Sequence, residues 1–309
     1  MRVLVLGAGG TGGYFGGRLA QAGIDVTFLV RPARAALLRE QGLRIRSPLG
    51  DADIPVQVLT ADELASAAPF DLILLSSKAY DLDSAMDAIA PAVEAGARAL
   101  PLLNGLRHYE ALDARFGFSN VLGGLCFISA TLGAGGEILH LGKPASMTFG
   151  EREGQPPDAR LQALAAACAQ AGIDHLHAPD IAQAQWAKYS FLTALAAGTC
   201  LMRTSIGTIV AGEGGADFMA ALHGECLAVA AASGQPVSTA AQASARDTLT
   251  TAGSPMKASM LRDLEAGQRV EAAHIVGDMV HRATAHAIAT PHLRAAWVHL
   301  QAYEAQRAA

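Results

Sequence analysis

The stretch RVLVLGAGGTGGYFGGRLAQAG, residues 2–23, decides how the chain starts to fold. RVLVLGA reads as a buried strand, and GGYFGGRLAQAG reads as a helix closed by Gly23. Between them Gly7, Gly9 and Gly12 stand in the spacing G-x-G-x-x-G, with Ala8, Gly10 and Thr11 filling the turn. Gly7 permits the tight strand-to-helix turn, Gly9 lets the backbone approach a pyrophosphate, and Gly12 allows close packing of the helix. An anion placed there meets free N–H groups and the positive end of the helix dipole. The motif alone is weak, and a ligand-free glycine turn is the competing reading. Here it follows a strand, opens a helix and leads into a second strand, DVTFLVR, which is the context a dinucleotide site requires.

The end of that second strand bears on which dinucleotide is bound. An acid there would grip a ribose 2′-hydroxyl, whereas a cation suits a 2′-phosphate. The strand ends FLVRPAR, with Arg31 at the deciding place and Arg34 close by, so NADP(H) is the expected cofactor. Asp25 comes too early in the strand to do an acid's work. The alternative for Arg31 is an ordinary surface cation.

Later runs, DLILLSS at 71–77, ARALPLLNG at 97–105 and NVLGGLCFISA at 120–130, are continuously apolar rather than alternating. That pattern suits parallel strands buried on both faces. Strands alternating with helices give a Rossmann-type, doubly wound parallel sheet. From about residue 180 the signals are helical, broken by the turn clusters AGEGGAD, ASGQPVS and TAGSP. The expected organisation is therefore an α/β cofactor domain over 1–179 and an all-α domain over 180–309. Ligands of the first domain should lie at the carboxyl ends of its strands. Lys78 in LLSSKAYD and Asn104 in LPLLNGL fall there, although Asn104-Gly105 is also a strong turn signal.

With 309 residues, 51% hydrophobic and a net charge of −5, the chain can bury a sizeable core and carries no basic run for nucleic acid or an anionic membrane. No apolar run reaches membrane-spanning length, and the first residues lack the layout of a signal peptide, so the cytoplasm is the expected location. Cys126, Cys168, Cys200 and Cys226 are scattered, without a zinc or disulfide pattern. His175 and His177, like His281 and His286, match no metal motif, and no metal is expected. Apolar faces among the Ala-rich helices suit a homodimer interface.

In QWAKYSFLTALAAGTC, residues 185–200, one lysine stands in an almost wholly apolar helix. Lys188 either snorkels to water or is held inside, where burial lowers a lysine's pKa toward that of a working general acid. A second polar set is Ser259, Asp263 and Glu271 in SMLRDLEAGQRVEAAHIVG, with Gly267 ending one helix and Glu271 opening the next. Left alone, Glu271 could equally serve a helix dipole and Ser259 could be a surface hydroxyl.

Taken in order, these residues resemble the ketopantoate reductase (2-dehydropantoate 2-reductase) family along nearly the whole chain. GAGGTGGYFGGRLAQAG, SSKAYD, LLNGL and GLCFISATL around Ala130 resemble its cofactor half; WAK, SMLRDLEAGQRVE and ATP with Pro291 resemble its helical half. The resemblance implies NADPH-dependent reduction of ketopantoate to pantoate, with substrate between the domains. It implies Lys188 as proton donor, Asn104 as a contact to nicotinamide and substrate, and Ser259 as a substrate contact. Glu271 would be a polar group where cofactor and substrate meet.

The sequence departs from the family where substrate is chosen. Asparagines common in the family are replaced by Leu192, Ala196, Ile206 and Met256, and a common threonine by Val270. A site that hydrogen-bonds a hydroxyl rejects analogues lacking it by orders of magnitude, so these losses bear directly on the substrate. A reductase of a more apolar 2-oxo acid is thus the first alternative. A protein that senses NADP(H) without turnover is the second.

Overall fold

The computed structural model describes residues 1–308. By its internal contacts the chain divides into two units: Met1–Leu103 with His108–Ile181, and Asn104–Arg107 with the chain from Ala182 on.

In the first unit the elements run β1 (Arg2–Leu6), α1 (Gly10–Gln21), β2 (Asp25–Leu29), α2 (Pro32–Gln41), β3 (Leu43–Arg46), β4 (Ala52–Ile54) and β5 (Gln57–Leu59). There follow α3 (Ala61–Leu64), β6 (Leu72–Leu75), α4 (Leu82–Glu94), β7 (Arg98–Pro101) and α5 (His108–Phe116). The unit ends with β8 (Gly123–Leu132), β9 (Ile138–Gly150), α6 (Ala159–Gln170) and β10 (Asp174–His177). One sheet has the order β5-β2-β1-β6-β7, with every pairing parallel. Its central strands are apolar on both faces because both are covered: Val3, Leu4, Val5, Ile73 and Leu74 are fully buried. Each such side chain contributes about 1.5–3 kcal/mol through burial. The strand order reverses between β1 and β6, which opens a crevice at the carboxyl ends of those strands.

A second sheet, β10-β9-β3-β4 with β8 on β9, corrects one expectation. NVLGGLCFISA reads as another parallel strand, but β8 runs antiparallel to β9, and only Val121, ahead of it, bridges the parallel sheet at Ala99. The cause is the glycine-rich turn that follows, where Gly133 N–H donates to the Glu137 carbonyl at 2.7 Å and reverses the chain. The partner strand β9 is not apparent in the sequence, since it interleaves Gly, Lys and Pro with its buried residues.

The second unit holds α7 (Ile181–Met202, which begins at the last residue of the first unit), α8 (Ile206–Val210), α9 (Gly215–Ala232) and α10 (Thr239–Leu249). After these come α11 (Ser259–Glu265), a π-helical turn at Ala273–Gly277, α12 (Asp278–Ala285) and α13 (Pro291–Ala308). α7 is apolar all round and becomes the buried centre, with Ala194, Ala196, Ala197 and Cys200 fully covered. Met219 and Leu222 of α9 pack in the same core. Helix ends are secured locally. Ser238 Oγ accepts the Ala241 N–H at the start of α10. The Glu225 carboxylate accepts the His292 and Leu293 N–H groups at the start of α13, at 3.0 and 2.9 Å.

Among the described residues no helix is long and apolar enough to cross a membrane, and no group of side chains forms a metal-binding cluster. The four cysteines are free thiols and all are buried. Burial pushes the Cys168 and Cys200 thiols up to about 12, and raises Cys226 as well.

Candidate functional site

The first unit contributes a cradle made of main chain. Gly7, Ala8 and Gly9 form the turn after β1, while Gly10, Thr11 and Gly12 open α1 with no acid in its first turn. A Cβ at Gly10 would lie 2.5 Å from the Ala130 carbonyl oxygen, and one at Gly12 would collide with Ser76 Oγ and the Gly7 carbonyl. A Cβ at Gly9 would meet no protein atom within 4 Å, so that side of the turn is open. Ala130 of β8 thus stands directly against the first residue of α1.

Cations surround this turn. Arg31 precedes α2, its side chain 80% exposed and 3.6 Å from Asp81. Asp81 belongs to a short turn, Ala79–Asp81, whose start is Lys78, so Arg31 and the Lys78 segment are neighbours. Asp25, by contrast, is spent on Arg2 at 3.0 Å. Arg34, one turn into α2, is half-buried. It donates to the Ala8 carbonyl at 3.0 Å and to Gly136 at 2.8 Å, tying the glycine turn to the β8–β9 hairpin. Its Nε is buried and has no hydrogen-bond partner among the described residues. Burial, with Arg44 beside it, lowers the guanidinium from its usual range. A tight glycine turn, a free helix N-terminus and clustered arginines together fit the phosphates of a dinucleotide.

The second unit contributes a site made of buried side chains. Lys188 is 8% exposed and donates from Nζ to the Asn104 side-chain oxygen at 2.9 Å. Asn104 stands in the Asn104–Arg107 segment that packs with this unit. Glu271, 7% exposed, lies just before the π-helical turn, and its carbonyl accepts the N–H groups of His274 and Ile275. The His274 ring is buried and packs against the backbone at Gly105, where a Cβ would lie 2.9 Å from its Cδ2 and 3.3 Å from its Nε2. Burial lowers the His274 pKa, against the pull of Glu271 and Asp278, so the imidazole is neutral near pH 7. Tyr189, beside Lys188 in sequence, puts its buried hydroxyl 3.0 Å from the Ile275 carbonyl and 2.8 Å from Asp278 Oδ2. Burial and the Asp278 charge hold that phenol well above its usual range. Asp278 is also paired with Arg282, which lies over the Trp186 ring.

Ser259 is the half-buried first residue of α11, and among the described residues no side-chain hydrogen bond joins it to Lys188 or Asn104. Of the substituted positions, Ala196 and Ile206 are fully buried in the helical core. The Ile206 N–H donates to the Met256 carbonyl at 3.0 Å, which brings two of the apolar replacements together. His274 and the part played by Arg34 do not stand out in the sequence. Position was the available signal: His274 is one turn past Glu271, and Arg34 one turn past Arg31.

The family described as "Ketopantoate reductase PanE/ApbA" matches residues 3–154, and its C-terminal counterpart matches residues 180–304. The chain belongs to the ketopantoate reductase family. Like its family, it is an oxidoreductase. It is 38% identical to the Bacillus subtilis uncharacterized oxidoreductase YkpB over 307 residues, covering 99% of this chain and 100% of that one. It is 31% identical to the 2-dehydropantoate 2-reductase of Halobacterium salinarum, covering 95% and 96% of the two chains. The crystal structure of a PanE/ApbA family ketopantoate reductase from Ralstonia eutropha JMP134 superposes with a TM-score of 0.88 at 27% identity, covering all of both chains.

Proposed function

We propose that the chain is an NADPH-dependent reductase of a 2-oxo acid, with 2-dehydropantoate as the first substrate to test and pantoate as the product. The observation that carries this reading is the buried Lys188 amine held on the Asn104 side-chain oxygen at 2.9 Å. A fixed, water-shielded ammonium can deliver a proton to a carbonyl oxygen as negative charge develops on it, leaving the neutral amine, and its positive charge steadies that developing charge. When bound, the dinucleotide supplies the hydride. The turn Gly7–Gly12 holds the pyrophosphate, Arg31 the 2′-phosphate, and Lys78 and Ala130 flank the cofactor. Asn104 orients nicotinamide and substrate, Ser259 takes the substrate carboxylate, and Glu271 is the polar group where cofactor and substrate meet. Residues 1–179 then act as the NADP-binding domain and 180–309 as the substrate and dimerisation domain, in a cytoplasmic enzyme.

A second reading keeps the chemistry and changes the acid. Leu192 lies one turn beyond Lys188, and Ile206 and Met256 come together by a backbone bond, so the positions that the family commonly fills with amides are apolar. A 2-oxo acid with an aliphatic side chain would suit them better than one carrying a hydroxyl.

The test is NADPH and NADH oxidation with ketopantoate and with 2-oxoisovalerate, wild type beside Lys188→Ala. Lysine-dependent turnover of ketopantoate well above 2-oxoisovalerate supports the first reading. Preference for 2-oxoisovalerate supports the second. Tight NADPH binding without lysine-dependent turnover of either overturns both and favours a cofactor-sensing protein.

A further inference from the structure

Three segments of the second unit are tied to one another in a closed circuit. α7 reaches the Asn104 segment through Lys188 Nζ and the Asn104 side-chain oxygen, 2.9 Å apart. The Asn104 segment reaches the π-helical turn through the His274 ring, which packs against the backbone at Gly105. The π-helical turn returns to α7 through the Ile275 carbonyl and the Tyr189 hydroxyl, 3.0 Å apart. Lys188 and Tyr189 are consecutive, so the circuit closes on the neighbour of the residue that starts it.

Packing makes the middle link specific. Gly105 has φ +80°, and a Cβ there would come within 2.9 Å of His274 Cδ2 and of the His274 carbonyl oxygen. The imidazole therefore lies flush against the Asn104-Gly105 backbone, where only glycine fits. A π-helical turn admits one more residue per turn than an α-helix, and such turns concentrate at functional sites. This one begins two residues after Glu271. The charges that act on the ring are those of Glu271, Asp278 and Arg107 of the Asn104 segment.

We propose that His274 is a positioning residue: by holding the Asn104-Gly105 backbone from the π-helical turn, it sets where the Asn104 side chain holds the Lys188 amine. Lys188, not His274, touches the substrate. His274 acts by packing against the Gly105 backbone, and Tyr189 anchors the turn that carries it. The part assigned to the amine rests on the carbonyl-reduction reading above; the structural linkage does not.

Two readouts separate these. The chain has only four lysines, Lys78, Lys143, Lys188 and Lys257, so the side-chain ¹³C signals of lysine-labelled protein can be followed singly, with Lys188→Ala giving the assignment. Amide hydrogen exchange at Gly105 and Leu106 reports the loop itself. His274→Ala is expected to move the Lys188 titration midpoint, to speed exchange at Gly105 and Leu106, and to lower kcat about ten- to hundredfold with little change in cofactor affinity. His274→Gln, which refills much of the space against Gly105, is expected to restore all three in part. An unchanged Lys188 titration and unchanged loop exchange in folded His274→Ala overturn the proposal, whatever the enzyme turns over. If both move while the wild type reduces no 2-oxo acid, the linkage stands and the carbonyl-reduction reading fails.

Discussion

The glycine turn of the first unit and the Lys188 cluster of the second are built from opposite materials. The turn is main chain: N–H groups at the start of α1, glycines where a side chain would collide, and Arg34 bracing a carbonyl from behind. The cluster is side chain: a buried amine of α7 held on an amide of the Asn104 segment, with a buried imidazole packed against that segment from the π-helical turn. A main-chain site is damaged by adding a single methyl group. A side-chain site is damaged by removing one group or misplacing it by about an ångström. The two regions should therefore fail in different observables, cofactor affinity in one and turnover in the other.

The largest effect is expected from Lys188→Ala. Its kcat should fall by about 10²–10⁴, the usual contribution of general acid catalysis, with cofactor affinity within about twofold of wild type. Steady-state kinetics beside a fluorescence titration of NADPH gives both numbers, and an equally large loss of affinity would break the contrast. Next comes Gly10→Ala, whose methyl would press on the Ala130 carbonyl 2.5 Å away. Strain of about 1–3 kcal/mol should raise the NADPH Kd about ten- to hundredfold, while kcat at saturating cofactor stays near wild type. Arg31→Ala should raise the KM for NADPH about tenfold and leave that for NADH unchanged. An equal rise for both would move the 2′-phosphate contact away from Arg31.

The smallest effect concerns stability and pH. Burial lowers the pKa of His223 in α9 below the usual 6.5, as it does for His274. A histidine whose pKa is lower folded than unfolded leaves stability intact above about pH 6.5. As pH falls toward the folded value, the unfolded chain takes up the proton first and stability drops. The Tm should therefore fall between pH 7 and pH 5, and fall less in His223→Gln. An identical decline in that variant would place the acid sensitivity elsewhere.

This contrast also explains what could be read in advance. Gly7, Gly9 and Gly12 advertise the first site because no other residue permits that backbone, so constraint is written as residue type at fixed spacing. The parallel strands were legible for a similar reason, since burial on both faces leaves no choice but apolar runs. β9 was not, because its exposed or half-exposed positions admit Lys143, Pro144 and Ser146. Lys188 stood out as a charge in an apolar helix, but its partner Asn104 lies 84 residues away in sequence, and no local pattern joins them. His274 was less visible still. A buried neutral histidine looks like any other in sequence, and its meaning comes from the backbone it touches.

The cysteines carry a practical consequence. Cys126 and Cys168 belong to the first unit, Cys200 and Cys226 to the second, and all four are buried in the folded chain. With the Cys168 and Cys200 thiols pushed up to about 12, almost no thiolate is present at neutral pH, and thiolate is the species that reacts. Alkylation then waits for a unit to open. Mapping which cysteines are labelled over time would give each half of the molecule its own clock for local unfolding, without an added probe.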